Sequence, residues 1–228
     1  MPIDNLLLVP TEFEWDHLSK QIPGSVRLGG DSVGVTESET LSVRICGFGP
    51  IAAAARAAAL IGELKPSRVV LAGIAGTYRE SLRVGSAYEF DSVSSHGVGV
   101  GSGNEFVTAG EMGWRQFHDS TRPDLNLTDT LELSPISKAT SAGMLLTCCS
   151  GSADLQDAAI KKSKFPGAVA EDMEAFGVAV SCTIAGVPLS VIRGISNRAG
   201  DRDHAGWKVG EALAAAAEML NVCWGRQS

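Results

Sequence analysis

The feature of this sequence that most restricts its fold is the alternation of short apolar runs with longer stretches of helical composition. Asn5–Val9 (NLLLV), Ser42–Cys46 (SVRIC), Arg68–Ala72 (RVVLA), Gly143–Cys149 (GMLLTCC) and Leu189–Ile195 (LSVIRGI) are strand-length, almost continuously apolar, and bounded by turn residues. Such runs are the mark of strands buried on both faces. Between them lie helix signals. Thr11 stands three residues before Glu14, as in a capping box, and opens a helix to about Gln21. Ile51–Leu64 is an alanine-rich helix that stops ahead of Pro66. Ala153–Lys164, a segment from near Asp172, and His204–Val222 complete the helices. Val84–Val93 reads as extended, and Ser94–Asn104 as a Gly/Ser-rich loop suited to a lid. Strands alternating with helices give an α/β class with a mostly parallel central sheet. No internal repeat or composition shift marks a boundary, so residues 1–228 read as a single domain.

Composition narrows the function classes. A formal net charge of −7 and the lack of any Lys/Arg cluster argue against nucleic acid as a partner. The start, Met1-Pro2-Ile3-Asp4-Asn5, has no basic region before its apolar run, so no secretory leader is expected. Ile51–Leu64 is too short to span a bilayer and is interrupted by Arg56 and Glu63, so no membrane association is expected. Cys46, Cys148, Cys149, Cys182 and Cys223 are odd in number and contain no CxxC pair, against a disulfide framework or a zinc site. A reduced cytoplasm is the expected compartment. His17, His96, His118 and His204 have no metal spacing, and neither H-E-x-x-H nor G-x-S-x-G occurs. No metal and no cofactor are expected.

In α/β sheets ligands bind beyond the carboxyl ends of strands, so residues following the apolar runs are the candidates. Gly47-Phe48-Gly49-Pro50-Ile51-Ala52 matches G-x-G-x-x-A, but Gly73 stands where a dinucleotide site needs an acidic residue, and a tight strand-to-helix turn explains it better. Gly73-Ile74-Ala75-Gly76 reads as the turn closing a strand, with backbone free to approach a ligand. Glu12 and Glu14 are either first-turn charges or a general base. Glu171, Asp172 and Glu174 crowd a helix start, and one of them suffices to accept two hydrogen bonds from a ribose diol. Arg193 lies inside an apolar strand and demands a carboxylate partner. Asn197 just beyond it offers both a donor and an acceptor, which suits a purine edge.

Together, Val9–Glu14, Gly47-Phe48-Gly49, Gly73–Gly76 followed by Leu82-Arg83-Val84-Gly85, Phe165-Pro166 leading to Asp172-Met173-Glu174, and Val191–Asn197 resemble the nucleoside phosphorylase/nucleosidase superfamily, in the branch of methylthioadenosine/S-adenosylhomocysteine nucleosidase. The resemblance implies one three-layer α/β domain around a mixed sheet, a homodimer or higher homo-oligomer, a small-molecule nucleoside as partner, and no metal. It implies that Glu14 (or Glu12, two residues away) activates water and that Glu174 holds the ribose hydroxyls with Met173 against the sugar. It further implies that Arg193 stands near the water and its base, and that Asn197 contacts purine N7. Asp172 replaces a common glutamate. Gly151 replaces an aromatic that stacks on the base, leaving Phe106 as a weak substitute.

Adenine-specific members carry aspartate where this chain has Asn197. An amide donates to a 6-carbonyl and accepts from a protonated N7, so Asn197 points to a 6-oxopurine. The segment Ser196–Asp203 with Trp207 resembles the futalosine hydrolase family, whose substrate is an inosine-like nucleoside with a carboxyphenyl ketone on its 5′ side. Arg122 or Arg202 is the cation that would meet that carboxylate. Competing readings are a phosphorylase, disfavoured by Glu12 and Glu14 where phosphate would sit, an adenine-type nucleosidase, and a catalytically inert purine sensor.

Overall fold

The computed structural model describes residues 3–22, 33–35, 40–137 and 141–224; Met1 and Pro2, read above for a leader, lie outside them. The chain opens with β1 (Asn5–Val9), α1 (Glu12–Leu18), β2 (Val33–Val35), β3 (Thr40–Ile45), α2 (Pro50–Leu64) and β4 (Arg68–Thr77). Seven short strands follow: β5 (Ala87–Glu89), β6 (Ser92–His96), β7 (Gly99–Val100), β8 (Val107–Thr108), β9 (Phe117–Asp119), β10 (Arg122–Leu127) and β11 (Thr130–Glu132). The last third is β12 (Met144–Cys148), α3 (Leu155–Lys164), β13 (Ala168–Asp172), α4 (Ala175–Ala185), β14 (Leu189–Arg198) and α5 (Val209–Cys223).

The main sheet runs β11-β6-β12-β13-β4-β1-β3-β2, and β14 joins β4 to β5. Its pairs β1/β3, β1/β4, β14/β4, β12/β13 and β6/β12 are parallel, whereas β13/β4, β14/β5, β6/β11 and β2/β3 are antiparallel. The sheet is therefore mixed, and helices cover both faces. On one face Ala53, Ala57 and Leu60 of α2 meet Val178, Ala179 and Cys182 of α4 over Leu6, Leu8 and Leu71. Gly177 permits that contact, because a Cβ there would collide with the Pro50 carbonyl. On the other face Leu213, Ala216, Ala217 and Leu220 form a stripe of i, i+3 and i+4 spacing on α5 that seals Leu7, Val9, Val70 and Ile192. Burying each large aliphatic side chain contributes about 1.5–3 kcal/mol.

Several boundaries differ from the sequence reading, each for a reason of tertiary pairing. Gly73–Gly76 is no turn: β4 runs through it to Thr77 because β14 pairs alongside as far as Arg198. Glu171 and Asp172 end a strand, and the helix begins only at Ala175, with Glu174 as its N-cap. Ser94–His96 lies in the main sheet and Gly99–Val100 pairs with Val107–Thr108, so the proposed Gly/Ser loop is partly strand. The first helix ends at Leu18, and the last starts at Val209 after a 3-10 turn at His204–Gly206. Among the described residues no helix is long and apolar enough to cross a membrane.

Candidate active site

The carboxyl ends of β1, β4, β13 and β14 open onto one cavity of about 800 Å³. Glu14, Ile74, Ala75, Gly76, Asp172, Met173, Glu174 and Asn197 all line it, together with Phe13, Phe48, Arg202 and Trp207. Four side chains expected at a site from the sequence do not line it. Arg193 is fully buried behind the wall. Phe106 packs against the His96 ring, 4.9 Å between centroids, in a core cluster with Leu146 and Phe165. Arg122 is occupied elsewhere, bonding the Ile184 carbonyl at 3.1 Å. Glu12 is exposed at the start of α1, and of the two glutamates there only Glu14 is turned inward. The strands of Ser94–Asn104 are likewise absent from the lining.

Glu14 is positioned by two donors. The Thr11 hydroxyl donates to Oε2 at 2.6 Å and the Ile74 N–H to Oε1 at 3.1 Å. Half of the capping box forms, since Glu14 N–H donates to Thr11 Oγ1, but the carboxylate accepts from the Thr11 hydroxyl and the Ile74 N–H instead of from the cap's backbone N–H. Gly73 is the reason it can. A Cβ at Gly73 would lie 2.7 Å from Glu14 Oε1 and would collide outright with Arg193 Nη1. A carboxyl and a guanidinium thus share the space above one glycine.

Arg193 is the hub of the cluster. Its Nη2 donates to Asp172 Oδ2 and, at 3.3 Å, to Glu174 Oε2, while Nε and Nη1 have no hydrogen-bond partner. Burial lowers the guanidinium pKa, but Asp172, Glu174 and Glu14 outweigh it and hold the pKa above its ordinary value. Asp172 receives three donors: Oδ1 accepts from Thr147 Oγ1 at 2.6 Å, and Oδ2 from the Ala175 N–H at 2.9 Å as well as from Arg193. It lines the cavity and also holds Arg193. Glu174 accepts from the Gly49 N–H at 3.1 Å. Burial, opposed by Arg193 and reinforced by Asp172, raises its pKa from 4.5 to about 7.

Asn197 stands opposite Gly76 because β14 bulges: Ile195 pairs with Ala75 and Asn197 with Gly76, leaving Ser196 as the extra residue. Ser196 Oγ donates to Asn197 Oδ1 and Asn197 Nδ2 donates to the Arg198 carbonyl, both at 2.8 Å. One N–H and one acceptor lone pair of the amide remain for a ligand. Arg202 lies 5.6 Å from the Trp207 ring centroid, a cation–π pair on the cavity wall.

The sequence reading passed over Thr11 as more than a cap and Ser196 as an orienting hydroxyl; Glu171, read with Asp172 and Glu174 as three acids of which one suffices for a ligand, lines the cavity alongside both. Adjacency to Glu14 and Asn197 was the available signal for the first two. Among the described residues no group of three His, Cys, Asp or Glu is arranged to hold a metal ion.

A family model for the phosphorylase superfamily matches residues 6–223. Futalosine hydrolase of Acidothermus cellulolyticus is 30% identical over 229 residues, 98% of this chain and 93% of its own length. Futalosine hydrolase of Streptomyces coelicolor is 33% identical over 152 residues, which is 67% of this chain but 63% of that protein. A 5′-methylthioadenosine/S-adenosylhomocysteine nucleosidase of Geobacillus is 30% identical over 159 residues, 69% of this chain and 68% of that one. In three dimensions the chain superposes on the Helicobacter pylori nucleosidase of that name with a TM-score of 0.79 at 18% identity, covering 99% of each chain. The futalosine hydrolase structure from H. pylori gives 0.78 at 17%, covering 98% of each. The cluster of carboxylates around a buried arginine, the mixed sheet and a match along almost the whole chain agree: this chain belongs to the phosphorylase superfamily, in its N-glycosidase branch.

Proposed function

We propose that this chain hydrolyses the N-glycosidic bond of a 6-oxopurine nucleoside, and that its substrate is futalosine, cleaved to hypoxanthine and dehypoxanthinyl futalosine on a route to menaquinone. The observation that carries this reading is the Asn197 amide, oriented by Ser196 and left with one donor and one acceptor facing the cavity. A 6-oxopurine leaving with N7 protonated presents the matching carbonyl and N–H. The two relatives named futalosine hydrolase support the choice.

The chemistry resembles glycoside hydrolysis, with an oxocarbenium-like sugar in the transition state. Glu14 takes a proton from water as the water oxygen bonds to the anomeric carbon. The carbon–nitrogen bond breaks with its electron pair passing to the purine, N7 takes a proton from solvent, and Asn197 accepts from that N7–H and donates to O6. Glu174 accepts hydrogen bonds from the ribose hydroxyls, and Met173 packs on the sugar. Arg193, whose Nη1 shares with Glu14 Oε1 the space over Gly73, acts on that carboxylate from behind the cavity wall. Arg202 on Trp207 meets the carboxylate of the 5′ substituent. A homodimer in the cytoplasm accompanies this reading, and a hydrodynamic mass measurement tests the dimer.

The test is base release without phosphate from futalosine, aminofutalosine, inosine and methylthioadenosine in parallel. Hypoxanthine from futalosine is the expected result. Adenine from the amino substrates with futalosine untouched would establish the alternative, the adenine-type nucleosidase suggested by the Geobacillus relative. A strict requirement for inorganic phosphate would make the enzyme a phosphorylase instead.

A further inference from the structure

A second polar cluster lies on the cavity wall, and none of the steps above uses it. Glu171, the next-to-last residue of β13, lines the cavity and is 8% exposed. Its carboxylate receives three donors: Ser152 N–H to Oε1 at 2.8 Å, and Ser152 Oγ and Tyr78 Oη to Oε2, both at 2.6 Å. Burial, with Cys148 and Glu171 nearby, raises the Tyr78 pKa above its ordinary value and keeps the phenol a donor. Lys161, itself buried on α3, anchors the loop that carries Ser152 by donating to the Ser150 carbonyl at 2.9 Å. A carboxylate offers about four lone-pair positions. Three are filled, and the free one is on Oε1. Gly151 leaves that oxygen uncovered, since a Cβ at Gly151 would stand 3.9 Å from it.

The sheet register places this acceptor opposite Asn197. Glu171 and Asn197 are both paired to Gly76, one on each side of β4. Cross-strand partners project to the same face, and their backbones are roughly 10 Å apart across two strand spacings. Between them Gly76 contributes no side chain. An amide and an acceptor-only carboxylate therefore border one floor within the cavity.

We infer that Glu171 is a specificity-determining residue that accepts the N1–H of a 6-oxopurine while Asn197 engages its O6 and N7 edge. The inference rests on the nucleosidase reading and names the group that completes its base recognition. A 6-oxopurine carries a proton on N1, whereas a 6-aminopurine presents a lone pair there, which a carboxylate repels. A site built to hydrogen-bond a group rejects the analogue lacking it far more strongly than an apolar pocket rejects an added methylene.

Calorimetric binding of hypoxanthine, 1-methylhypoxanthine and adenine to the full chain tests this, run beside base release from the nucleosides above. Wild type binds hypoxanthine about tenfold to hundredfold more tightly than 1-methylhypoxanthine, the discrimination expected of one buried hydrogen bond. In Glu171→Ala that preference collapses towards unity, whereas Tyr78→Phe, which keeps the carboxylate, retains it. Equal affinity of wild type for the two bases overturns the inference whether or not the variants fold. A methyl penalty undiminished in Glu171→Ala also overturns it. If no nucleoside is cleaved while the N1 preference holds, the hydrolase reading fails and the role of Glu171 stands. If futalosine is cleaved and the preference is absent, the reverse is true.

Discussion

Replacing Gly73 with alanine perturbs the site through a single methyl group. Gly73 lies within β4, where an alanine backbone is unstrained, so any effect must come from what the methyl meets. That Cβ would lie 2.7 Å from Glu14 Oε1 and 3.1 Å from Pro10 Cδ, and would overlap Arg193 Nη1. Arg193 is fully buried between Asp172 and Glu174 and has no solvent side into which to retreat. To restore ordinary contact the guanidinium and the Glu14 carboxylate must move apart by about 1 Å, a displacement of catalytic groups that costs on the order of 100-fold in rate. Overpacking at such a site costs about 1–3 kcal/mol of stability. The assay is steady-state base release together with thermal unfolding, with Gly210→Ala as the control, because a Cβ at Gly210 meets nothing within 4 Å. Gly73→Ala should lose about 100-fold in kcat with a lowered Tm, while Gly210→Ala keeps wild-type activity. Wild-type kcat and Tm in Gly73→Ala would refute the claim that Glu14 and Arg193 share that space and that their placement matters.

Four further outcomes are expected. Glu14→Gln should lower kcat by about 10²–10⁴-fold with Tm little changed, as for loss of a general base. The Glu174 pKa, raised to about 7, requires kcat/KM to rise with pH through that value and this limb to vanish in Glu174→Gln; the raised pKa also means that the stability Glu174 contributes is full below 4.5 and is lost as pH climbs through about 7, which Tm of wild type against Glu174→Gln from pH 5 to 8 would register. Arg193→Leu leaves Asp172 and Glu174 without their cation and should cost about 3–5 kcal/mol, a Tm fall on the order of 10 °C by calorimetry. Asn197→Asp should shift the ratio of adenine to hypoxanthine release towards adenine by about tenfold to hundredfold in a mixed-substrate assay.

What the sequence determined by itself is the set of elements whose burial is a local property. β1 was legible as NLLLV, α2 from its alanine run, and the core of β14 from LSVIRGI, because in each the side chains alone report a buried strand or helix. Glu14, Glu174 and Asn197 were legible in another way, from the motifs they share with the family the sequence resembles: Glu14 comes just after β1, Glu174 just after β13, and Asn197 lies near the carboxyl end of β14 itself. The short strands between Ala87 and Glu132 were largely not, because strands of two to six residues carry too few side chains to set a period.

Only the tertiary structure decided which charged group meets which. Asp172 and Glu174 are two residues apart, yet Asp172 receives donors from Thr147, Ala175 and Arg193 whereas Glu174 receives them from Gly49 and Arg193. Arg193 required a carboxylate on sequence grounds, but that it receives two while staying out of the cavity follows from the packing of β14 beside β4. The glycines of Gly73–Gly76 read as a turn because their composition does not distinguish a turn from a strand that others must approach closely. The bulge at Ser196 sets Asn197 against Gly76, and β13 brings Glu171 to the other side of the same residue from a segment 95 positions away in register, so the base-recognition pair exists only once the sheet has closed. Periodicity records whether a side chain is buried; register between distant strands determines beside what.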